Sequence, residues 1–365
     1  MNFNPRHLFV DISSHGFGHL AQVAPVLNEL GKRLPHLRLT VRSGLPHEKL
    51  RARIGGDFAY LAGRSDFGFV MLDALRIDAA ASAAAYRAQH ADWPRVVADE
   101  ARMLGGLQPD LVLTDVAYLP LAAAAQLSIP SLAMCSLNWA DIFAHYFGAQ
   151  AWAGTIHAEM LAAYRSAECF LRLTPGMAMP ELSRVHAISP VAALGQDCRA
   201  ALRARLACSP AEKLVLIAFG GIDQQLPVER WPHHPQLRWL IPASWKLARP
   251  DITAFDPLAL PFADLLRGVD AVLTKPGYGT FTEAACNGTP VLYVRRSDGW
   301  PEQDDLIDWL KRNARCSEID ADALLSARLP EALADLWRQS APPLPHPAGA
   351  AAAAALLAER LTCRN

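Results

Sequence analysis

Two histidines flank a glycine turn near the start of the chain, Ser13-Ser14-His15-Gly16-Phe17-Gly18-His19. An imidazole changes charge near neutral pH and can take a proton from a hydroxyl group. To work as a base it needs a fixed tautomer and a partner for the imidazolium that forms. Asp115 offers that partner. It ends an apolar run that starts at Leu111, and His19 follows the apolar run His7 to Ile12. Open α/β sheets bind ligands at the carboxyl ends of such strands. His19 and Asp115 are therefore the expected dyad, with His15 as the competing base. Spacing alone also permits plain structural roles: a helix-start histidine bonded to a carbonyl, and an aspartate that caps the next helix.

A second glycine turn lies in VDAVLTKPGYGTFTEAACNGTPVLYVRRSDGWPEQ, Val269 to Gln303. The order there is buried strand (Ala271 to Leu273), turn (Lys275 to Thr280), helix (about Phe281 to Asn287) and strand (Val291 to Val294). Gly288 and Pro290 stop the helix. Such a turn leaves free N–H groups at a helix N-terminus, which suits a phosphate. Pro276 has no N–H, so the donors run from Gly277 onward.

The first turn has a rival reading. Gly16-Phe17-Gly18-His19-Leu20-Ala21 fits the dinucleotide fingerprint G-x-G-x-x-G/A. Strand two, however, ends in Val41-Arg42-Ser43 without the acidic residue that holds an adenosine ribose, and two imidazoles crowd the turn. No nicotinamide or other cofactor is expected.

These sites need a scaffold. The chain has 365 residues, enough for two domains, and its 52% apolar content supports large cores. The formal net charge of −1 argues against a nucleic-acid partner, which requires a basic face. Seven scattered cysteines without a CxxC read as reduced thiols of a cytoplasmic protein with no zinc site. No apolar span is long enough to cross a bilayer, which leaves room only for peripheral membrane contact. Strands and helices alternate as β-α-β units, first from His7 to Met134, then in a second series from Val185. This predicts two doubly wound parallel sheets. The expected divisions are residues 1–182, 183–340 and 341–365, the last a tail helix, with Met179 to Pro190 as hinge.

The segments SHGFGHLAQVAPVLNEL, PDLVLTDVAYLPLAAAAQLSIPS, SLNWADIFAHYF, AFGGID and VLTKPGYGTFTEAACNGTPVLYVRR resemble the two-domain GT-B glycosyltransferases. The likeness is strongest to the glycosyltransferase-like amino-terminal region of plant L-arabinokinases. It covers most of Leu8 to Gln303 and leaves out the sugar-kinase domain, so kinase activity is not implied. The resemblance implies two Rossmann-like domains facing a cleft, with a nucleotide-sugar donor, a UDP-sugar by analogy, on the second.

Carried over by position, Gly277, Tyr278, Gly279 and Thr280 would hold the diphosphate, with Lys275 adding charge. Glu283 would accept from the ribose, Phe255 would frame the base, and Glu302 and Gln303 would meet the sugar. Gly221 would let the backbone approach the phosphates, and Gly18 joins the donor contacts from the first turn. His19 and Asp115 match the base and its partner. The activity implied is inverting, metal-independent transfer to a hydroxyl acceptor. A nucleotide-sugar epimerase or hydrolase, or a non-catalytic nucleotide-sugar-binding module, would use the same fold. Acceptor specificity is expected around Phe67 to Met71 and Asn138 to Tyr146. The sequence names neither the acceptor nor the oligomeric state.

Overall fold

A computed structural model describes residues 5–221, 225–325 and 328–363. Among them the strands form two parallel sheets. The first contains β1 (His7–Ile12), β2 (Arg38–Ser43), β3 (Ala59–Ala62), β4 (Leu111–Asp115), β5 (Ser131–Cys135), β6 (Cys169–Leu173) and β7 (Val185–Ile188), in the order β3-β2-β1-β4-β5-β6-β7. The second contains β8 (Lys213–Ala218), β9 (Leu237–Ile241), β10 (Ile252–Ala254), β11 (Ala271–Thr274), β12 (Val291–Val294) and β13 (Cys316–Ile319), in the order β10-β9-β8-β11-β12-β13.

The central strands are apolar on both faces because both faces are covered. In β1, Leu8, Val10 and Ile12 pack toward the helix Phe17–Arg33, while Phe9 packs with Leu104 and Ala123 on the other side. In the second sheet, Leu214 and Leu216 share one core with Phe281, and Val215 and Ile217 share another with Leu333 and Leu336.

Val185 was expected to open the second series. It instead pairs with β6 and completes the first sheet. We accordingly place the division between the lobes after β7, beyond the expected 182/183 boundary. The terminal helix Gly349–Thr362 packs along Phe17–Arg33 and against β7, and the Gly349 amide donates to the Pro190 carbonyl at 3.0 Å. The last helix in sequence thus belongs to the layers of the first sheet.

Both glycine turns are shorter than the sequence suggested, because the helices begin earlier, at Phe17 and at Tyr278. Gly16 makes the first start possible: its φ of 143° lies in a region that L side chains rarely adopt. The helix that starts at Tyr278 meets the one that starts at Phe17, and a Cβ on Gly279 would come within 2.8 Å of the Ala21 Cβ.

Gly279→Ala should therefore act against the contact of the lobes more than against the helix. Alanine favours a helix by about 1 kcal/mol, whereas forcing a methyl into a packed contact typically costs 1–3 kcal/mol. The expected result is a roughly tenfold lower activity with little change in melting temperature. Wild-type activity in this variant would mean that the two helix starts need not touch.

Candidate active site

Each sheet has one place where the strand order reverses: between β1 and β4, and between β8 and β11. At such a switch point the connections leave in opposite directions and open a crevice at the strand ends. The two switch points face one cavity of about 100 Å³. Residues after β1 (His15 to His19), after β8 (Phe219 to Gly221), after β11 (Thr274 to Thr280) and after β12 (Arg296, Trp300, Glu302) line it.

On the first side, β1 and β4 lie side by side with Ile12 opposite Asp115. That register brings together residues 96 positions apart: His19 Nδ1 is 2.9 Å from Asp115 Oδ1. Both side chains are buried. Burial alone would lower the His19 pKa, but the charge and hydrogen bond of Asp115, helped by Asp66 and Glu302, hold it above 6.5. With Nδ1 committed to the carboxylate, Nε2 is the nitrogen available to a ligand in the cavity.

His15 sits differently. Its ring stacks on Trp300 at 5.8 Å and meets the edge of Trp139 at 5.2 Å. Burial, then His19, Arg296 and Lys275, push its pKa well below the ordinary value.

The Cys135 Sγ lies 3.9 Å from His19 Nδ1. Cys135 with His19 and Asp115 is the only His/Cys/Asp/Glu trio among the described residues close enough to hold a metal ion. A metal there would have to compete with the His19–Asp115 hydrogen bond.

On the second side, Gly277 caps the helix Tyr278–Asn287. The amide of Phe281 already bonds to the Gly277 carbonyl, so the amides of Tyr278, Gly279 and Thr280 are those a helix start leaves open. The Lys275 ammonium is pulled down to about 7, by burial first and by Arg296 second. Glu302 is fixed across the lobes: the Ser136 hydroxyl donates to Oε1 at 2.6 Å and the Trp300 indole to Oε2 at 3.3 Å.

The remaining expected contacts divide. Gly18, Gly221, Gly277, Gly279 and Thr280 line the cavity. Gly221, however, approaches Phe17 of the first lobe, where a Cβ would meet the ring at 3.2 Å. Tyr278 also lines the cavity, while its hydroxyl accepts from the Val191 amide at 2.9 Å and donates to the Thr174 carbonyl at 3.3 Å. Gln303 is buried beside the cavity and accepts from the Arg296 amide at 3.1 Å.

Glu283 is not on the cavity wall. It is buried in a two-pronged ion pair with Arg53 of the first lobe, at 2.5 and 3.2 Å. Phe255 is also off the wall; its amide bonds to the Ile241 carbonyl and its ring packs at the edge of the core. Of the segment AFGGID, Ile222 and Asp223 lie outside the described residues.

A larger cavity of about 630 Å³ adjoins the first and shares His15 with it. Asp66, Phe67, Phe69 and Met71 contribute to its wall. In the other segment expected on the acceptor side, Asn138 to Tyr146, Trp139 and Phe143 are fully buried in the core, where Trp139 donates to Asp66 at 2.7 Å. Sequence reading also passed over Arg53, Ser136, Arg296 and Trp300. Only Arg296 carried a local signal, a charge immediately after a buried strand at the ligand-binding edge of a sheet.

No family model matches the chain. It is 26% identical to the L-arabinokinase of Arabidopsis thaliana over 78% of this chain, and the match spans 28% of the length of that relative. The calicheamicin glycosyltransferase CalG4 superposes with a TM-score of 0.62 over 99% of this chain and 95% of its own, at 16% identity. A putative UDP-N-acetylglucosamine 2-epimerase from Listeria monocytogenes does so with a TM-score of 0.55 over 99% and 98%, at 13% identity. The fold is therefore GT-B, two Rossmann-like lobes about a cleft, an architecture shared by glycosyl transfer and nucleotide-sugar epimerisation. No helix among the described residues is long and apolar enough to cross a membrane.

Proposed function

We propose that this chain transfers a glycosyl group from a nucleoside-diphosphate sugar, a UDP-sugar by analogy with its structural relatives, to a hydroxyl acceptor with inversion at the anomeric carbon. The observation that carries this reading is the opposition across one cavity of a carboxylate-held imidazole and a helix start flanked by cations. His19 takes the acceptor proton as the hydroxyl attacks. Asp115 keeps the tautomer and stabilises the imidazolium. The leaving diphosphate gains charge in the transition state, where the amides of Gly279 and Thr280 and the Lys275 ammonium favour it most. The larger cavity, with Phe67 to Met71 in its wall, is the acceptor side.

The central cavity, about 100 Å³, is smaller than the roughly 300 Å³ at which small-molecule sites begin. Donor entry thus requires the lobes to part, and the cross-lobe bonds of Tyr278, Glu283 and Glu302 define the closed state.

An epimerase is the second reading, favoured by the superposition on the epimerase fold. Incubation with a panel of UDP-sugars, with and without hydroxyl acceptors, separates the two. UDP release that depends on acceptor supports transfer. Conversion of the donor sugar without acceptor replaces transfer with epimerisation. Binding without turnover under either condition makes the chain a nucleotide-sugar-binding module.

A further inference from the structure

Arg296 is a buried cation that makes no ion pair among the described residues. It is 5% exposed, its guanidinium lies over the Trp300 ring at 4.4 Å, and its Nε has no hydrogen-bond partner. Its polar side-chain contact is a weak one to the Met71 sulfur at 3.9 Å. Among the described residues neither Arg296 nor Lys275 makes an ion pair, although both line the central cavity. Glu302, the acid on the same wall, has its oxygens engaged by Ser136 and Trp300. Asp298, the other acid nearby, acts on both groups electrostatically without forming an ion pair with either. A buried guanidinium and ammonium that lack a bonded counter-ion beside a helix start favour the entry of an anion.

We propose that Arg296 is a second anion-binding residue of this cavity, acting with Lys275 and the amides of Tyr278 to Thr280 on a ligand that carries at least two negative charges, such as the diphosphate of a nucleotide. This rests on the nucleotide-sugar reading and adds to it a residue that no motif supplied. It also makes binding sensitive to pH. Lys275 faces Arg296 as a cation, His15 as an imidazole whose own pKa is pushed well below the ordinary value, and Glu302 and Asp298 as acids. In the empty site its pKa is about 7, and a bound dianion raises it. Binding then takes up a proton, so affinity falls as pH rises above about 7. Without Arg296 the empty-site pKa of Lys275 rises, and the fall moves to higher pH.

The test is calorimetric titration of the full chain with UDP, inorganic pyrophosphate and uridine between pH 6.5 and 9. Arg296→Gln is expected to weaken UDP and pyrophosphate by about 10- to 100-fold, to leave uridine unchanged, and to flatten the pH dependence between 7 and 8.5. Arg296→Lys should recover part of the affinity. Lys275→Met, which serves if Arg296→Gln fails to fold, should weaken both phosphate ligands and abolish the proton uptake.

Wild-type affinity and pH dependence in Arg296→Gln would overturn the assignment while leaving the nucleotide reading intact. Equal weakening of uridine would also overturn it, as a sign of general disruption. Absence of UDP binding by the unaltered protein would overturn both.

Discussion

His19→Ala is expected to lower turnover by about two to four orders of magnitude while changing donor affinity little. The reason is geometric. The imidazole is one of the elements that close the cavity, but its carboxylate partner orients it toward chemistry: Asp115 is fully buried, and its Oδ1 meets Nδ1 at 2.9 Å. The substitution removes proton transfer and leaves the amides and cations of the second lobe in place.

The pH profile supplies an independent check. Only the neutral imidazole can accept a proton, and Asp115 raises its pKa above 6.5. The acid limb of kcat/KM should therefore lie above 6.5, with activity rising as pH increases through it. Asp115→Asn, which removes the charge, should move that limb downward and lower the rate. Stopped assays of UDP release across pH would decide the matter. Near-normal turnover of His19→Ala would eliminate His19 as the base and turn attention to His15, which lacks a carboxylate and sits between two indoles.

Arg53→Ala should be the most destabilising single change at the contact of the lobes. Glu283 is 1% exposed and Arg53 about one-fifth exposed, and the two make a paired contact across the interface. Removing one partner of a buried pair costs about 3–5 kcal/mol because the other charge is left without compensation. Arg53 retains contact with water, so the lower end of that range is expected. Urea unfolding would measure it as a shift in midpoint.

The double variant Arg53→Met/Glu283→Leu should recover most of the loss, since apolar replacement of a whole buried pair is often neutral. The Arg53 change has a second consequence. In the closed arrangement Arg53 occupies the carboxylate that the family resemblance would assign to the donor ribose. Arg53→Met should therefore strengthen UDP binding by removing that competitor. Unchanged or weaker binding would exclude Glu283 as a ribose ligand.

Local pattern carried a large part of this molecule. A strand, a glycine turn and a helix start are written in neighbouring residues, so the turns at Gly16 and Gly277 and the parallel α/β class are legible in the sequence. Both helices start three residues earlier than local pattern indicates, at Phe17 and Tyr278, because glycine in a first helical turn has the signature of a loop. Val185–Ile188 was assigned to the wrong series for a related reason. A four-residue strand has no mark that names its sheet.

What the chain determined by itself is which residue types stand at the ends of its strands: an imidazole after the first, a carboxylate on the fourth, and lysine and glycine after the eleventh. Tertiary structure decided which of them meet. The adjacency of β1 and β4 pairs His19 with Asp115, lobe packing gives Glu283 to Arg53, and burial over Trp300 sets Arg296 on the cavity wall without an ion pair. These outcomes depend on contacts between residues tens to hundreds of positions apart. No local spacing encodes them, because sheet order and lobe contact are set by which apolar faces bury each other.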